Sequence, residues 1–218
     1  MLRKERKVII ITGKSGTGKT KLAKQIIPFF KRRIVLDVLE EYTCEKTFNS
    51  LQEFLDQTSV LDQSINACIR GFKENEIDFI CEWVLIAGNI CLVVEEFETY
   101  VSRYENFKYL DEIIRRGRHN DVSLIAISQR VPDFPPLFRS QITSFFSFYQ
   151  DEPTDVKHLL DRDFQLEDIE SLERCEGVQR PEQNVHYLSK GDTVEEIKEW
   201  TDGTEKNYLQ SQTKDFQL

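Results

Sequence analysis

The octapeptide Gly13-Lys14-Ser15-Gly16-Thr17-Gly18-Lys19-Thr20 leaves this chain few architectures to choose from. It has the pattern G-x-x-x-x-G-K-[ST], in which a glycine-rich turn feeds a helix so that main-chain N–H groups point inward and cradle phosphate oxygens. Such a loop needs a strand before it and a helix after it. Val8-Ile9-Ile10-Ile11-Thr12 is a β-branched apolar run, and Leu22, Ala23, Ile26 and Ile27 recur at helical spacing. Residues Gly13 to Thr20 are therefore the expected nucleotide-binding set. Lys19 is placed to reach the terminal phosphates as a point charge, and the Thr20 hydroxyl to take a Mg²⁺ position.

At 218 residues the chain is long enough for one α/β domain with a small appendage. It has no apolar run of about 18 residues, and Met1 to Lys7 lacks a signal-peptide core, which predicts a soluble protein without membrane insertion. Cys44, Cys68, Cys81, Cys91 and Cys175 form no C-x-x-C pair, and His119, His158 and His186 are scattered. Neither a zinc site nor a disulfide framework is expected; Cys68, Cys81 and Cys91 read as small core residues. The net charge of −9 is unevenly spread, from +10 over residues 1–33 to −11 over residues 34–102. Acidic faces are read as solvated and basic ones as serving phosphate, so any nucleic-acid contact must be local.

Beyond the first helix, strands are expected at Ile34 to Val38, Ile65 to Phe72, Ile90 to Val94, Val122 to Ser128 and Phe145 to Tyr149. Helices are expected at residues 50 to 57, at Glu74 to Ala87 with Gly88-Asn89 as a left-handed terminator, and around Phe107, Leu110, Ile113 and Ile114 with a stop at Gly117. Strands that are apolar on both faces and alternate with helices call for a mostly parallel sheet covered on both sides. Residues 1–162 form the expected core. Residues 163–218 form an extension packed on the same domain, with a helix at 165–175, an edge strand at Asn184 to Leu188 and a polar tail.

The run Ile90-Cys91-Leu92-Val93-Val94-Glu95-Glu96 has the form of a Walker B strand, apolar residues ending in two carboxylates. Successive side chains point opposite ways, so Glu95 can support the Mg²⁺ shell while Glu96 orients or deprotonates the attacking water. Gln129, at the end of the strand Val122 to Ser128, can contact the γ-phosphate or the water as a neutral donor and acceptor.

The phosphate-binding loop, the acid-tipped strand and Leu110 to Gln129 (LDEIIRRGRHNDVSLIAISQ), followed by Arg130-Val131-Pro132, resemble the FtsK/HerA superfamily of DNA-translocating ATPases over residues 6 to 162. The resemblance implies a RecA-like α/β fold, ATP and Mg²⁺ as cofactors, and double-stranded DNA as a sequence-independent partner. Two departures are visible. Glu95 stands where the family usually has Asp, and Val131 interrupts its Gln-Arg-Pro. A chain this compact looks most like the genome-packaging ATPases of tailless icosahedral viruses, which implies a host-cytoplasmic or virion-associated protein and contact with capsid vertex proteins.

Arg118 matches the family's arginine finger. It precedes Val122 to Ser128, and seven strand residues at about 3.3 Å each put roughly 23 Å between it and the edge carrying Gln129. Arg118 can serve only a neighbour's nucleotide, which implies a head-to-tail ring, a pentamer or hexamer. Arg115 and Arg116 are alternates. Glu40 to Lys46 and Pro132 to Arg139 are the candidate pore loops. Two rival readings stay open. One is a small P-loop kinase whose Asp37 or Glu40 binds a substrate hydroxyl, and the other an assembly module that binds ATP with little turnover.

Overall fold

The computed structural model describes residues 6–101, 107–131, 138, 140–161, 177–180 and 186–188. Within them one sheet holds β1 (Val8–Thr12), β2 (Arg33–Leu36), β3 (Lys46–Phe48), β4 (Asn66–Ile69), β5 (Ile90–Val94), β6 (Val122–Ser128), β7 (Ser144–Phe148), β8 (Gly177–Arg180) and β9 (His186–Leu188). The spatial order is β3-β4-β2-β5-β6-β1-β7-β8-β9. The strands β1 to β7 pair in parallel, and β8 and β9 continue the sheet antiparallel beyond β7. The helices are α1 (Lys19–Ile26), α2 (Leu51–Gln57), α3 (Ile77–Ala87), α4 (Glu98–Val101), α5 (Lys108–Arg116) and α6 (Pro153–Leu160).

Strand side chains alternate between two cores. Val8, Ile10, Leu92, Val94, Leu124 and Ala126 face the side packed by α2, α3 and α5, where Phe54, Trp83 and Ile113 lie. Ile9, Ile11, Val93, Ile125 and Ile127 face α1 through Leu22, Ala23 and Ile26. Every residue of β1, β5, β6 and β7 is buried, as a parallel sheet with both faces covered requires.

Several boundaries depart from the sequence reading. The second strand ends at Leu36, because the buried Asp37 turns the chain by accepting the N–H of Glu41 at 2.8 Å and that of Tyr42 at 3.3 Å. Gly88 and Asn89 do take positive φ, 53° and 45°. Gly117, by contrast, is right-handed, and the chain runs on through a 3₁₀ turn, Gly117–Asn120, to Asp121 at φ 54°. The short β3 and β8 were not anticipated, since neither shows an apolar alternation. The helix expected at 165–175 and the polar tail lie outside the described residues.

The basic N-terminal stretch is also corrected. Three of its arginines hold the scaffold together rather than serving phosphate. The Arg6 guanidinium donates to the carbonyls of Ile113 and Val122, both at 2.8 Å, and so caps the end of α5. Arg33 donates to Phe30 O at 2.9 Å. Arg32, only 6% exposed, donates to Gly88 O at 2.6 Å, Asp62 O at 3.0 Å, and Val60 O and Ala87 O at 3.2 Å. Cysteine usage needs a correction as well. Cys81 and Cys91 are free and buried, but Cys68, though in the core, forms a disulfide with Cys44. No spacing rule could have paired them, because they meet only when the loop after β2 folds back onto β4.

Arg32→Met should cost about 3 kcal/mol, because it strands several carbonyls that now accept from a cation, whereas Lys31→Met on the adjacent exposed position should stay within about 0.5 kcal/mol of wild type. Urea melts of both variants check this. Equal stability of the two would refute the staple.

Candidate nucleotide site

The sheet order brings together groups that lie far apart in sequence. The C-terminal ends of β5, β6, β1 and β7 are neighbours, so the acids after β5, Gln129 after β6 and the loop after β1 share one edge. There a cavity of about 330 Å³ is lined by Gly18, Lys19, Thr20, Glu95, Glu96 and Gln129, among others.

The loop of Gly13 to Thr20 needs glycine at two places because β7 presses against it. Gly13 has φ 149° and Gly18 φ 112°, and an added Cβ would come within 2.5 Å of Phe148 Cβ at the first and 3.1 Å of Phe148 Cε1 at the second. Phe148 thus forms the floor of the loop. The Lys14 N–H donates to Tyr149 O at 3.2 Å, and the Lys14 ammonium pairs with Asp151. Thr17 closes the turn by donating its hydroxyl to Lys14 O at 2.7 Å. Ser15 and Gly16 are exposed at its crest, and Thr20 is half-buried in the first turn of α1. Lys19, 8% exposed, donates to Gly13 O at 2.6 Å and Lys14 O at 2.9 Å. Burial lowers its pKa, and the charges of Glu98, Glu96, Glu41 and Glu95 oppose that shift. Both hydrogen-bond partners of Lys19 are neutral carbonyls, and a phosphate oxygen, being anionic, is the stronger acceptor for an ammonium.

The two paired acids differ sharply in environment. Glu95 is 2% exposed, and burial pushes its pKa up to about 7; the Leu39 N–H, donating to it at 3.4 Å, opposes the shift, and the charge of Asp37 adds to it. Beside it the buried Tyr42 hydroxyl has no partner at hydrogen-bonding geometry among the described residues. Thr20 and Glu95 offer hard oxygen donors and no all-protein cage. That donor set suits Mg²⁺, which keeps several waters and takes its remaining ligands from phosphate. Glu96 sits at φ 49°, a left-handed conformation that costs a non-glycine residue roughly 1–2 kcal/mol. Its Oε1 accepts from Gln129 Nε2 at 2.8 Å. The structure therefore joins Glu96 and Gln129 directly.

Arg118 lies in the 3₁₀ turn before β6, at the sheet edge opposite the cavity, and is exposed. Arg115 and Arg116 pair with Asp111 and Glu112 of their own helix, whereas no carboxylate among the described residues pairs with Arg118; its charge instead helps lower the pKa of Arg6 to about 10, after burial. Asp37 is fully buried and bound to Arg70 at 3.0 Å, so it cannot reach a metabolite hydroxyl. Of the pore-loop candidates, Glu40 to Lys46 ends the loop braced by that pair, whereas residues 132–137 and 139 lie outside the described residues.

Sequence reasoning missed Phe148, Tyr42, Leu39 and Glu98. Only Glu98 left a signal there, as a third carboxylate two positions past Glu96.

The Glu95 shift sets a pH dependence. Without metal or nucleotide, the folded protein keeps this proton until about pH 7 while the unfolded chain releases it near 4.5, so the folded state binds more protons between those values. Stability contributed by Glu95 is complete below about 4.5 and is lost as pH rises through 7. The melting temperature of wild type should therefore fall relative to that of Glu95→Gln between pH 5 and pH 7.5. Parallel curves for the two proteins would contradict this.

No protein-family model and no curated protein sequence matches the chain. Solved structures do match its fold. The genome packaging NTPase B204 from Sulfolobus turreted icosahedral virus 2, in complex with AMP, is similar with a TM-score of 0.67 at 18% identity, covering 86% of this chain and 98% of that one. The DNA-packaging ATPase B204 from Sulfolobus turreted icosahedral virus is similar with a TM-score of 0.62 at 19% identity over 84% and 97% of the two chains. The cytoplasmic domain of the Type VII secretion ATPase EccC from Thermomonospora curvata gives 0.54 at 13% identity, over 91% of this chain and 28% of that one. The chain thus has the α/β, RecA-like P-loop fold that its resemblance to the FtsK/HerA superfamily implies, and it spans nearly the full length of the viral ATPases it matches.

Proposed function

We propose that this chain is a Mg²⁺-dependent ATPase that moves double-stranded DNA, acting in a ring of identical copies to package a viral genome. The observation that carries the hydrolase part is the Glu96–Gln129 hydrogen bond at 2.8 Å on the rim of the phosphate-loop cavity. It supports a reading in which Glu96 accepts a proton from water and Gln129 serves as a neutral sensor of the γ-phosphate.

In this reading the loop N–H groups and Lys19 hold the terminal phosphates, and Thr20 and Glu95 are the residues that would hold Mg²⁺. The ion supplies charge neutralisation and orientation of the phosphate oxygens. Glu96 takes a proton from water as the water oxygen attacks the γ-phosphorus and the bond to the β–γ bridging oxygen breaks, giving ADP and phosphate. Gln129 orients Glu96 and reports whether the γ-phosphate is present. Arg118, unpaired with any described carboxylate and at the far edge of the sheet, completes the site of the next copy. The packaging role is drawn from the viral ATPases that share the fold, and sequence-independent DNA contact suits a motor that must pass any sequence.

Hydrolysis measured with and without double-stranded DNA over a range of protein concentrations tests this. Wild type should gain specific activity with concentration and with DNA, and Glu96→Gln should lose about 10²-fold or more in kcat while still binding ATP. Arg118→Ala should be similarly inactive, yet mixing it with Glu96→Gln should restore part of the activity, because an interface made of the Arg118→Ala site and the Glu96→Gln arginine unites an intact Glu96 with an intact Arg118. A rate indifferent to DNA and concentration would overturn the translocase reading; failure of the mixture would overturn the trans arginine.

A further inference from the structure

Resting on the ATPase reading above, we propose that Glu98 is a positioning residue for hydrolysis: it pins the main chain of Gln129 so that the Gln129 amide holds Glu96 in its working orientation. Glu98 opens α4, and its Oε1 accepts the Gln129 N–H at 3.0 Å across 31 residues of sequence. The same peptide segment is held from the other side. The buried Gln150, just beyond β7, donates its Nε2 to Gln129 O at 3.4 Å. These contacts extend the sheet past its last regular rungs, together with the Phe97 N–H donating to Ile127 O at 2.9 Å. Gln129 follows the end of β6, where strand pairing no longer sets the direction of its peptide. With these contacts, its side chain reaches Glu96 Oε1 at 2.8 Å although Glu96 lies in a left-handed conformation.

The second oxygen argues that Glu98 is more than a loop anchor. Glu98 Oε2 is buried and has no hydrogen-bond partner among the described residues, a costly arrangement for a polar oxygen on a side chain that only needed to cap one N–H. Asparagine or serine would cap without that cost.

Steady-state hydrolysis and nucleotide binding by the full chain, with the Glu98→Ala and Glu98→Gln variants, test this. Glu98→Ala should lower kcat about tenfold or more with a change in ATP affinity below about threefold, and Glu98→Gln, which keeps an acceptor for the Gln129 N–H, should recover most of the lost kcat. In a Gln129→Ala background the further change Glu98→Ala should cost little, because the group through which Glu98 acts is already gone. Thermal melts run alongside show whether Glu98→Ala remains folded; if it does not, Glu98→Met, which fills a similar space without an acceptor for the Gln129 N–H, replaces it in both the rate measurement and the Gln129→Ala cycle. Full additivity of the two substitutions, or an unchanged kcat in Glu98→Ala, overturns the proposal. A folded wild type that does not hydrolyse ATP sinks the ATPase assignment itself, whereas an active wild type beside a fully active Glu98→Ala sinks only the role of Glu98.

Discussion

The parallel pairing of β6 with both β1 and β5 is the interaction on which the rest of this molecule depends. β6 inserts between the strand that launches the phosphate loop and the strand that carries the acids, in register from Val8–Leu124 to Thr12–Ser128 on one side and from Ile90–Val122 to Val94–Ala126 on the other. Backbone hydrogen bonds on both edges and apolar burial on both faces make this the most constrained part of the chain. Every group of the candidate site hangs from its C-terminal end. A residue shift in either register would turn each side chain to the opposite face and separate Glu96 from Gln129.

Around that core the site is assembled from loops that are individually short and mutually braced. Phe148 of β7 supports the phosphate loop from beneath, and its contact with Gly13 and Gly18 explains why the loop cannot carry side chains there. On the opposite flank, Asp37 and Arg70 fix the turn that brings Leu39 and Tyr42 against Glu95. The result is an asymmetric pair of acids. Glu95 is desolvated and its carboxyl proton is retained well above the usual carboxylate range, while the more accessible Glu96 is held by a neutral amide. A cation near Glu95 would draw off that proton, so metal binding and deprotonation are coupled there.

Charge was the least reliable guide. The excess of basic residues over the first 33 positions suggested phosphate service, but guanidinium groups of Arg6, Arg32 and Arg33 donate to main-chain carbonyls at the ends of helices, strands and loops. Composition counts charge without regard to where helices end, and free carbonyls at those ends are strong acceptors for arginine. Arg118 differs because its own helix offers it no carboxylate, whereas Arg115 and Arg116 meet Asp111 and Glu112 four positions back.

By itself the sequence determined the local chemistry: the phosphate loop, because its glycines and Lys19-Thr20 act within a single turn, and the central strands β1, β5 and β6, because apolar runs of five to seven residues have no other stable use in a chain that alternates with helices. It also marked Glu95, Glu96 and Gln129, since strand ends are readable wherever an apolar run stops. Tertiary structure alone decided the strand order, the floor under the loop, the Cys44–Cys68 pairing, and the contacts of Glu98 and Gln150 with Gln129. The least separated of those partners, Gln129 and Gln150, stand 21 positions apart. The physical reason is the range of the forces involved. Helix and turn preferences act over three or four neighbours and are written into short words of sequence, whereas a parallel sheet pairs strands whose separation in the chain carries no trace of which will meet.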